Sequence, residues 1–177
     1  MSDLIVSGSN KEYKQPTIGL VQAVCAFVED LGWEPNMQGQ PTQRCVLCFE
    51  LDEKMDDGKP YMVAKRYTMS LSKKANLRRD LASWRSRDFT EEELKGFNLS
   101  KLVGINCFLS LAETDKKDGG KRVIIQTINP CPKNTKPLEI TNKKPPEWIA
   151  KQRDENNAKH APSGAVATKQ QEDDLPF

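Results

Sequence analysis

The sequence predicts a mainly β domain with five strands, a helical insertion between the third and fourth strands, and a disordered C-terminal tail. Apolar and polar residues alternate in several segments before residue 130, which is typical of strands with one buried face. An Asp-Gly turn separates two of these segments, and leucines at helical spacing follow them. Beyond residue 130 the apolar pattern stops and prolines and charged residues become frequent, which indicates the end of the folded part.

The first three strands follow one another closely. The first is predicted over residues 16–29, where β-branched and aromatic residues are frequent and Gly19 indicates a bend. Gly, Pro and Asn residues then predict a loop over 30–43. The second and third strands, 44–53 and 61–71, flank a Met-Asp-Asp-Gly-Lys-Pro turn and are expected to form a hairpin.

Two helices are predicted after the third strand. Ser72 is expected to cap the first helix, because a serine hydroxyl can accept a hydrogen bond from an N-terminal amide. Within it, Leu77, Leu81 and Trp84 have the spacing of one helical face. A Thr-Glu-Glu-Glu sequence beginning at Thr90 is a capping box, which predicts a second, short helix.

The last two strands are predicted at 103–114 and 121–129, joined by an Asp-Lys-Lys-Asp-Gly-Gly turn. This order of elements matches the OB-fold, a small five-stranded and partly open barrel. An SH3-like barrel and a generic α+β sandwich are alternatives, but a helix between the third and fourth strands favours the OB-fold. That fold binds oligonucleotides or oligosaccharides on its second and third strands and on the loops after its first and fourth strands.

Composition divides the chain into four parts. Residues 1–12 are predicted to be a flexible arm, and residues 13–130 the OB-fold domain. Residues 131–148 are rich in proline and are expected to line an edge of the domain, anchored by Trp148. Residues 149–177 offer few large apolar side chains to bury, so we expect a flexible tail.

The cysteines and the apolar content indicate the cell compartment. The N-terminus has no basic start followed by an apolar run, and no stretch approaches the roughly 18 apolar residues that a membrane span needs. The five cysteines are an odd number, which favours reduced thiols over a disulfide framework. We therefore expect a soluble cytoplasmic protein that has no contact with the membrane.

Positive charge is concentrated in residues 59–88, which contain nine Lys or Arg residues against two Asp, a net charge of +7. The whole chain has a net charge of only +2, and aromatic residues interleave with these cations. Single-stranded nucleic acid offers phosphates that bind cations in a salt-dependent way. It also offers base faces, which stack on aromatic rings for about 1–3 kcal/mol each.

This pattern predicts a nucleic-acid surface with little sequence specificity. More cations lie at the turn before the last strand, and Trp33 lies in the predicted loop after the first strand. The candidate DNA-binding residues are Trp33, Lys59, Tyr61, Lys65, Arg66, Tyr67, Lys73, Lys74, Arg78, Arg85, Arg87, Lys116, Lys117, Lys121 and Arg122. Trp84 is expected in the core, while Tyr67 fits either the ligand face or the barrel interior.

Motifs of catalysis and metal binding are missing from the sequence. We find no Gly-rich phosphate loop, catalytic triad or carboxylate pair, and the one histidine, His160, lies in the predicted tail. Cys45 and Cys48 have the spacing of half a zinc site, but within a strand they point to opposite faces. No helix begins after Cys48 to lower a thiol pKa for redox chemistry. We expect no enzyme activity, no metal and no cofactor.

Four stretches span most of the predicted domain: Asp-Leu-Gly at 30–32, Lys-Arg-Tyr-Thr-Met-Ser-Leu at 65–71, Asn-Leu-Arg-Arg-Asp-Leu-Ala-Ser-Trp-Arg at 76–85, and Phe-Thr-Glu-Glu-Glu-Leu-Lys-Gly-Phe at 89–97. Together they resemble a phage or prophage family of OB-fold single-stranded DNA-binding proteins. That family commonly has a glycine after the Trp-Arg pair, where this chain has Ser86. The resemblance implies expression in the cytoplasm of a bacterial host.

The chain ends in the acidic, apolar sequence Asp173, Asp174, Leu175, Pro176, Phe177. This tip resembles the Asp-Asp-x-Pro-Phe terminus of bacterial single-stranded DNA-binding proteins, which docks replication and repair enzymes. The resemblance implies that Phe177 fills an apolar pocket of a partner while the aspartates steer the encounter. Pro176 would limit the conformations that are lost on binding.

The sequence thus predicts a non-catalytic protein that coats single-stranded DNA in phage DNA replication, recombination and repair. It would recruit partner enzymes through its C-terminal tip. Two alternatives remain: an OB-fold protein-interaction adaptor, and an OB-fold protein that binds RNA. The sequence leaves homo-oligomerisation open.

Overall fold

A computed structural model describes residues 14–162 of the chain. Its centre is one antiparallel sheet with the strand order β3-β2-β1-β4-β5. The strands are β1 (Gly19–Pro35), β2 (Pro41–Lys54), β3 (Pro60–Thr68), β4 (Asn106–Asp115) and β5 (Lys121–Asn129). The helices are α1 (Asn76–Arg85), α2 (Glu91–Lys95) and α3 (Glu147–His160), and a short 3-10 helix covers Leu99–Leu102.

The prediction of a mainly β fold with five strands and a helical insertion between the third and fourth strands is confirmed. The capping box is present as well, because Thr90 Oγ1 accepts a hydrogen bond from the amide of Glu93 at 3.3 Å. The Glu93 carboxylate accepts one in return from the amide of Thr90 at 3.0 Å. Ser72, however, does not cap α1; the helix begins at Asn76, and no side chain caps it.

The connection between the first two strands is much shorter than the predicted loop over 30–43. Only residues 36–40 form the turn, because β1 continues to Pro35 and pairs with β2, with Trp33 opposite Gln43. A bulge interrupts the pairing of β1 with β2 at Gly32, which has a φ of +76°. Pairing with β2 therefore outweighs the loop-like composition of this segment.

The two edge strands come close to each other without joining. Because β2 and β4 both run antiparallel to β1, β3 and β5 run in the same direction. Some of their Cα atoms approach within 8 Å, and α1 packs against both strands. No ladder joins β3 to β5 in the part of the chain that the structure describes, so the sheet is not closed into a barrel.

One face of the sheet, here the inner face, holds the main core. Alternate residues of β2, β4 and β5 pack there against α1. Leu77, Leu81 and Trp84 lie on the buried face of α1, as their spacing predicts. The Trp84 ring packs against Phe49 with centroids 5.7 Å apart, and its Nε1–H donates to the carbonyl of Asn106 at 3.0 Å.

The opposite, outer face of β1 and β2 is covered by α3. Ile149 is 1% exposed and packs with Leu31, Val46 and Cys48 in a second, smaller core. Asn156 adds hydrogen bonds from its Nδ2 to the carbonyl of Leu31 at 2.7 Å and to Glu34 at 2.9 Å. The prediction of a flexible tail from residue 149 is therefore wrong as far as His160, and Ile149 rather than Trp148 is the buried anchor.

The Pro-rich segment crosses the middle of the sheet instead of lining its edge. The part over residues 136–142, here called the strap, is held by polar side chains of β1, β2 and β4. Glu50 accepts four hydrogen bonds of 2.8–3.0 Å from the amides and side chains of Thr141 and Asn142. Asn106 exchanges two hydrogen bonds with the backbone of Leu138. Residues 1–13 and 163–177, which include the predicted arm and most of the predicted tail, lie outside the described residues.

We predict that Ile149→Ala lowers the free energy of unfolding by about 2–5 kcal/mol, because it empties the centre of the second core. Urea denaturation followed by circular dichroism measures this loss. Asp154→Ala, on an exposed position of the same helix, should change the stability by less than about 0.5 kcal/mol. Equal stability of the two variants would contradict the packing of α3 on the sheet.

Candidate nucleic-acid interface

The nine cations of residues 59–88 do not form one continuous surface. Five of them make ion pairs with three carboxylates: Lys65 and Arg79 with Asp80, Arg78 with Asp88, and Arg85 and Arg87 with Glu93. Glu93 lies beyond residue 88, so the net charge of +7 leaves it out. Within residues 14–162, the four cations of this region without an ion pair are Lys59, Arg66, Lys73 and Lys74.

Arg85 is a structural residue. Its side chain is 2% exposed and makes a two-pronged ion pair with Glu93, with Nη1 at 2.7 Å from Oε2 and Nη2 beside Oε1. The guanidinium carbon lies 4.2 Å from the centroid of the Phe89 ring, and the same group donates to the carbonyls of Arg87 and Asp88. Arg85, predicted to contact DNA, thus has all three of its guanidinium nitrogens engaged inside the protein.

Tyr67 and Lys65 are engaged on the inner face of β3. The Tyr67 hydroxyl and Lys65 Nζ each lie 2.7 Å from Oδ2 of the buried Asp80. Tyr67 is 2% exposed, and burial together with the charge of Asp80 raises its pKa well above the usual value. A buried ring cannot stack on a base, so of the two placements that the sequence left open for Tyr67, the structure has the interior one; the half-buried Tyr61 packs against the same core.

Arg78 and Arg87 are also tied to carboxylates, at different depths. Arg78 makes two hydrogen bonds of 3.0 Å to Asp88 and a third to the carbonyl of Leu71, with 14% of its side chain exposed. Arg87 lies 3.4 Å from Glu93 and is more open to solvent. Of these two, only Arg87 keeps enough exposed surface to contact a phosphate.

Five exposed cations lie together at one end of the sheet. They occupy the β2–β3 turn, the β4–β5 turn and the start of β5, and we call them the turn cluster: Lys59, Lys116, Lys117, Lys121 and Arg122. The two turns share this end because β2 and β4 both run antiparallel to β1. None of the five makes an ion pair within residues 14–162.

The other predicted residues lie elsewhere. Lys73 and Lys74 are exposed in the connection after β3, at the opposite end of the sheet from the turn cluster. Trp33 also lies toward that opposite end, within β1 and not in a loop. It is half-buried, and its amide donates to Asn157 of α3 at 3.2 Å. The predicted DNA-binding residues are thus divided between the two ends of the sheet.

A different aromatic residue is exposed beside a cation. Trp148, in the first turn of α3, is 39% exposed, and the guanidinium carbon of Arg66 lies 5.1 Å from the centroid of its ring. The sequence indicated Trp148 only as an anchor and gave no sign of its pairing with Arg66. One sequence signal did point to the helix that carries Trp148: the apolar Val46 and Cys48 on the outer face of β2 require an element to cover them.

The two cysteines with zinc-like spacing lie on opposite faces of β2. Cys45 packs in the main core and Cys48 in the second core, as the period of a strand requires. Burial raises the pKa of each thiol to about 12. Residues 14–162 contain no group of three or more His, Cys, Asp or Glu side chains placed to hold a metal ion.

Comparison with known proteins adds no relative: no protein-family model and no curated protein matches the chain. Of the helices within residues 14–162, none has both the length and the apolar character that crossing a lipid bilayer requires. The predicted tip, Asp173 to Phe177, lies outside the described residues.

The Arg85–Glu93 pair predicts a pH dependence of stability. The hydrogen bonds from Arg85 lower the pKa of Glu93 from 4.5 to about 2, so folding favours the ionised carboxylate. This contribution to stability is complete above about pH 4.5 and should be lost as the pH falls toward 2. Chemical denaturation at a series of pH values measures it.

Glu93→Gln should remove part of this acid-dependent loss. It should also lower stability at neutral pH by about 3–5 kcal/mol, because the buried Arg85 loses its charged partner. Glu92→Gln is the matched control, since the neighbouring Glu92 is exposed and should tolerate the change within about 0.5 kcal/mol. A Glu93→Gln variant with wild-type stability would contradict a structural role for the pair.

Proposed function

We propose that the protein binds single-stranded DNA without catalysis and with low sequence specificity. Its setting would be phage DNA replication, recombination and repair in the cytoplasm of a bacterial host. The observation that carries the proposal is the turn cluster, whose five cations project from one end of the sheet without internal partners among the described residues. Such groups can exchange counterions for the phosphates of a flexible strand.

We also propose that the sheet is an OB-type barrel left open between β3 and β5. Its strand order places β3 and β5 at the two edges, running in the same direction and approaching each other. The helix α1 follows β3 and packs against both edges. Such an arrangement resembles a five-stranded barrel that has not completed its last ladder.

Three acids of the turns that carry the cluster are engaged locally, which supports its availability. Asp56 pairs with Lys14 at 2.7 Å. Asp57 accepts from the amide of Lys59 and Asp118 from the amide of Gly120, so these carboxylates shape the turns. The lysine ammonium groups are left to the solvent. A chain of phosphates passing this end of the sheet would meet several of them at once.

The C-terminal tip would act separately from DNA binding. Its aspartates and terminal Phe177 have the chemistry for docking a replication, recombination or repair protein that offers a basic rim around an apolar pocket. A tip beyond residue 162 can reach a partner while the sheet holds DNA. This division of labour is the second part of the proposal.

We predict that labelled oligo-dT binds with an affinity that falls as salt rises, measured by fluorescence anisotropy. The double variant Lys116→Ala/Lys117→Ala should lower the slope of log K against log salt by up to about 1.4, since each phosphate contact to a single strand contributes about 0.7. Lys133→Ala/Lys159→Ala removes the same charge from two exposed positions outside the cluster and should keep the wild-type slope. Equal slopes for both double variants would exclude the turn cluster as the DNA surface.

We further predict that deleting residues 172–177 leaves oligo-dT affinity unchanged or slightly tighter, because the deletion removes three carboxylates. Retention of host replication and repair proteins on the immobilised protein should be lost in the same variant. Phe177→Ala tests the aromatic anchor with the charges kept. A marked loss of DNA affinity on deletion would contradict the proposed division of labour.

A protein-interaction adaptor is the second candidate, and the exposed Ile18, just before β1, and Leu20, within it, favour this role. Equal and weak binding to single strands, duplex and neutral polymers would support this alternative. An RNA-binding role differs in its use of the 2′-hydroxyl, so competition between matched DNA and RNA oligomers separates it from the proposed function.

A further inference from the structure

Trp148 has an exposure that its structural role does not require. Two other residues of α3, Ile149 and Asn156, are buried and hold the helix to the sheet. Trp84, by comparison, is buried in the main core. An indole ring that remains 39% exposed in the first turn of α3 keeps a large apolar surface in contact with water.

Arg66 defines the position of this ring. It lies on the outer face of β3, opposite Val46 of β2, and its guanidinium carbon is 5.1 Å from the centroid of the Trp148 ring. This distance is that of a cation–π contact. The ring is therefore held beside β3, on the outer side of the β2–β3 pair, by a cation that is itself exposed.

The chain on both sides of Trp148 is rich in lysine. Lys143 and Lys144 precede it and Lys151 follows one helical turn later; all three are exposed. None of them makes an ion pair within residues 14–162, and neither does Arg66. Glu147 is the one acid between residues 143 and 153. An exposed aromatic ring thus has Arg66 against it and three exposed lysines within five residues of it in the chain, none of them in an ion pair within residues 14–162.

We propose that Trp148 is a base-stacking residue for single-stranded DNA, with Arg66 and the neighbouring lysines contacting the adjacent phosphates. This inference rests on the proposed function and names its aromatic site. The exposed part of the indole offers a face to a base, which every base can use, so the site is tolerant of sequence. Arg66 holds the ring by its cation–π contact and adds positive charge near the strand.

Intrinsic tryptophan fluorescence tests this site directly. Full-length wild-type protein, Trp148→Phe and Trp33→Phe are titrated with oligo-dT, and binding is measured in parallel by anisotropy of a labelled oligomer. Stacking of thymine on Trp148 should quench the emission of the wild type and of Trp33→Phe. The quenching should disappear in Trp148→Phe, although this variant keeps an aromatic ring and should still bind.

Affinity gives a second readout. Trp148→Ala should weaken oligo-dT binding by about 5- to 150-fold, the range expected for the loss of one stacked base. Thermal unfolding of each variant identifies any loss of fold, and Trp148→Phe serves as the decisive variant if Trp148→Ala is unfolded. Arg66→Ala should weaken binding in the same direction and lower the salt slope.

The possible failures are distinguishable. Undiminished quenching in Trp148→Phe, with wild-type binding intact, overturns the stacking site and leaves the proposed function standing. Loss of quenching in Trp33→Phe instead would assign the stacking role to Trp33 and would equally overturn the proposal for Trp148. Failure of wild-type protein to bind oligo-dT by anisotropy overturns both the proposed function and this inference.

Discussion

The burial of β2 on both faces is the constraint on which the rest of the structure depends. Every residue from Cys45 to Leu51 is buried, under α1 and the main core on one side and under the strap and α3 on the other. Glu50 lies within this run. Its burial alone would raise the pKa of the carboxyl, but its four hydrogen bonds to the strap outweigh this effect and the pKa is lowered. The strand therefore needs the strap to satisfy its charge and α3 to cover its apolar face.

The cations of the protein are of two kinds, one structural and one exposed. Arg78 and Arg85 use their planar, two-pronged guanidinium groups to hold carboxylates between α1 and the segment that follows it. The turn cluster consists mostly of lysines, which are strongly hydrated and flexible, and these lie where the sheet ends. With the outer face of β1 and β2 occupied, the proposed DNA contacts lie around the covered face and not on it.

The sequence could predict the features that depend on local signals. Alternation located the strands, the spacing of Leu77, Leu81 and Trp84 located the buried face of α1, and the Thr90 capping box marked α2. Features that depend on distant partners were beyond local patterns. The helix α3 is polar apart from Ile149 and few other residues, so its order comes from the sheet. A charge count over 59–88 likewise could not include the pairing of Arg85 with Glu93.

The position of the strap in the chain has a consequence for folding. Glu50 and its partner Thr141 are 91 residues apart, so the outer face of β2 gains its cover only from a late part of the chain. During synthesis, Val46 and Cys48 would stay uncovered after the whole sheet has left the ribosome. Such long-range closure is slow compared with hairpin formation. The newly made sheet would thus expose apolar residues for an interval and be prone to aggregation. A chaperone that binds exposed strands could act during that interval.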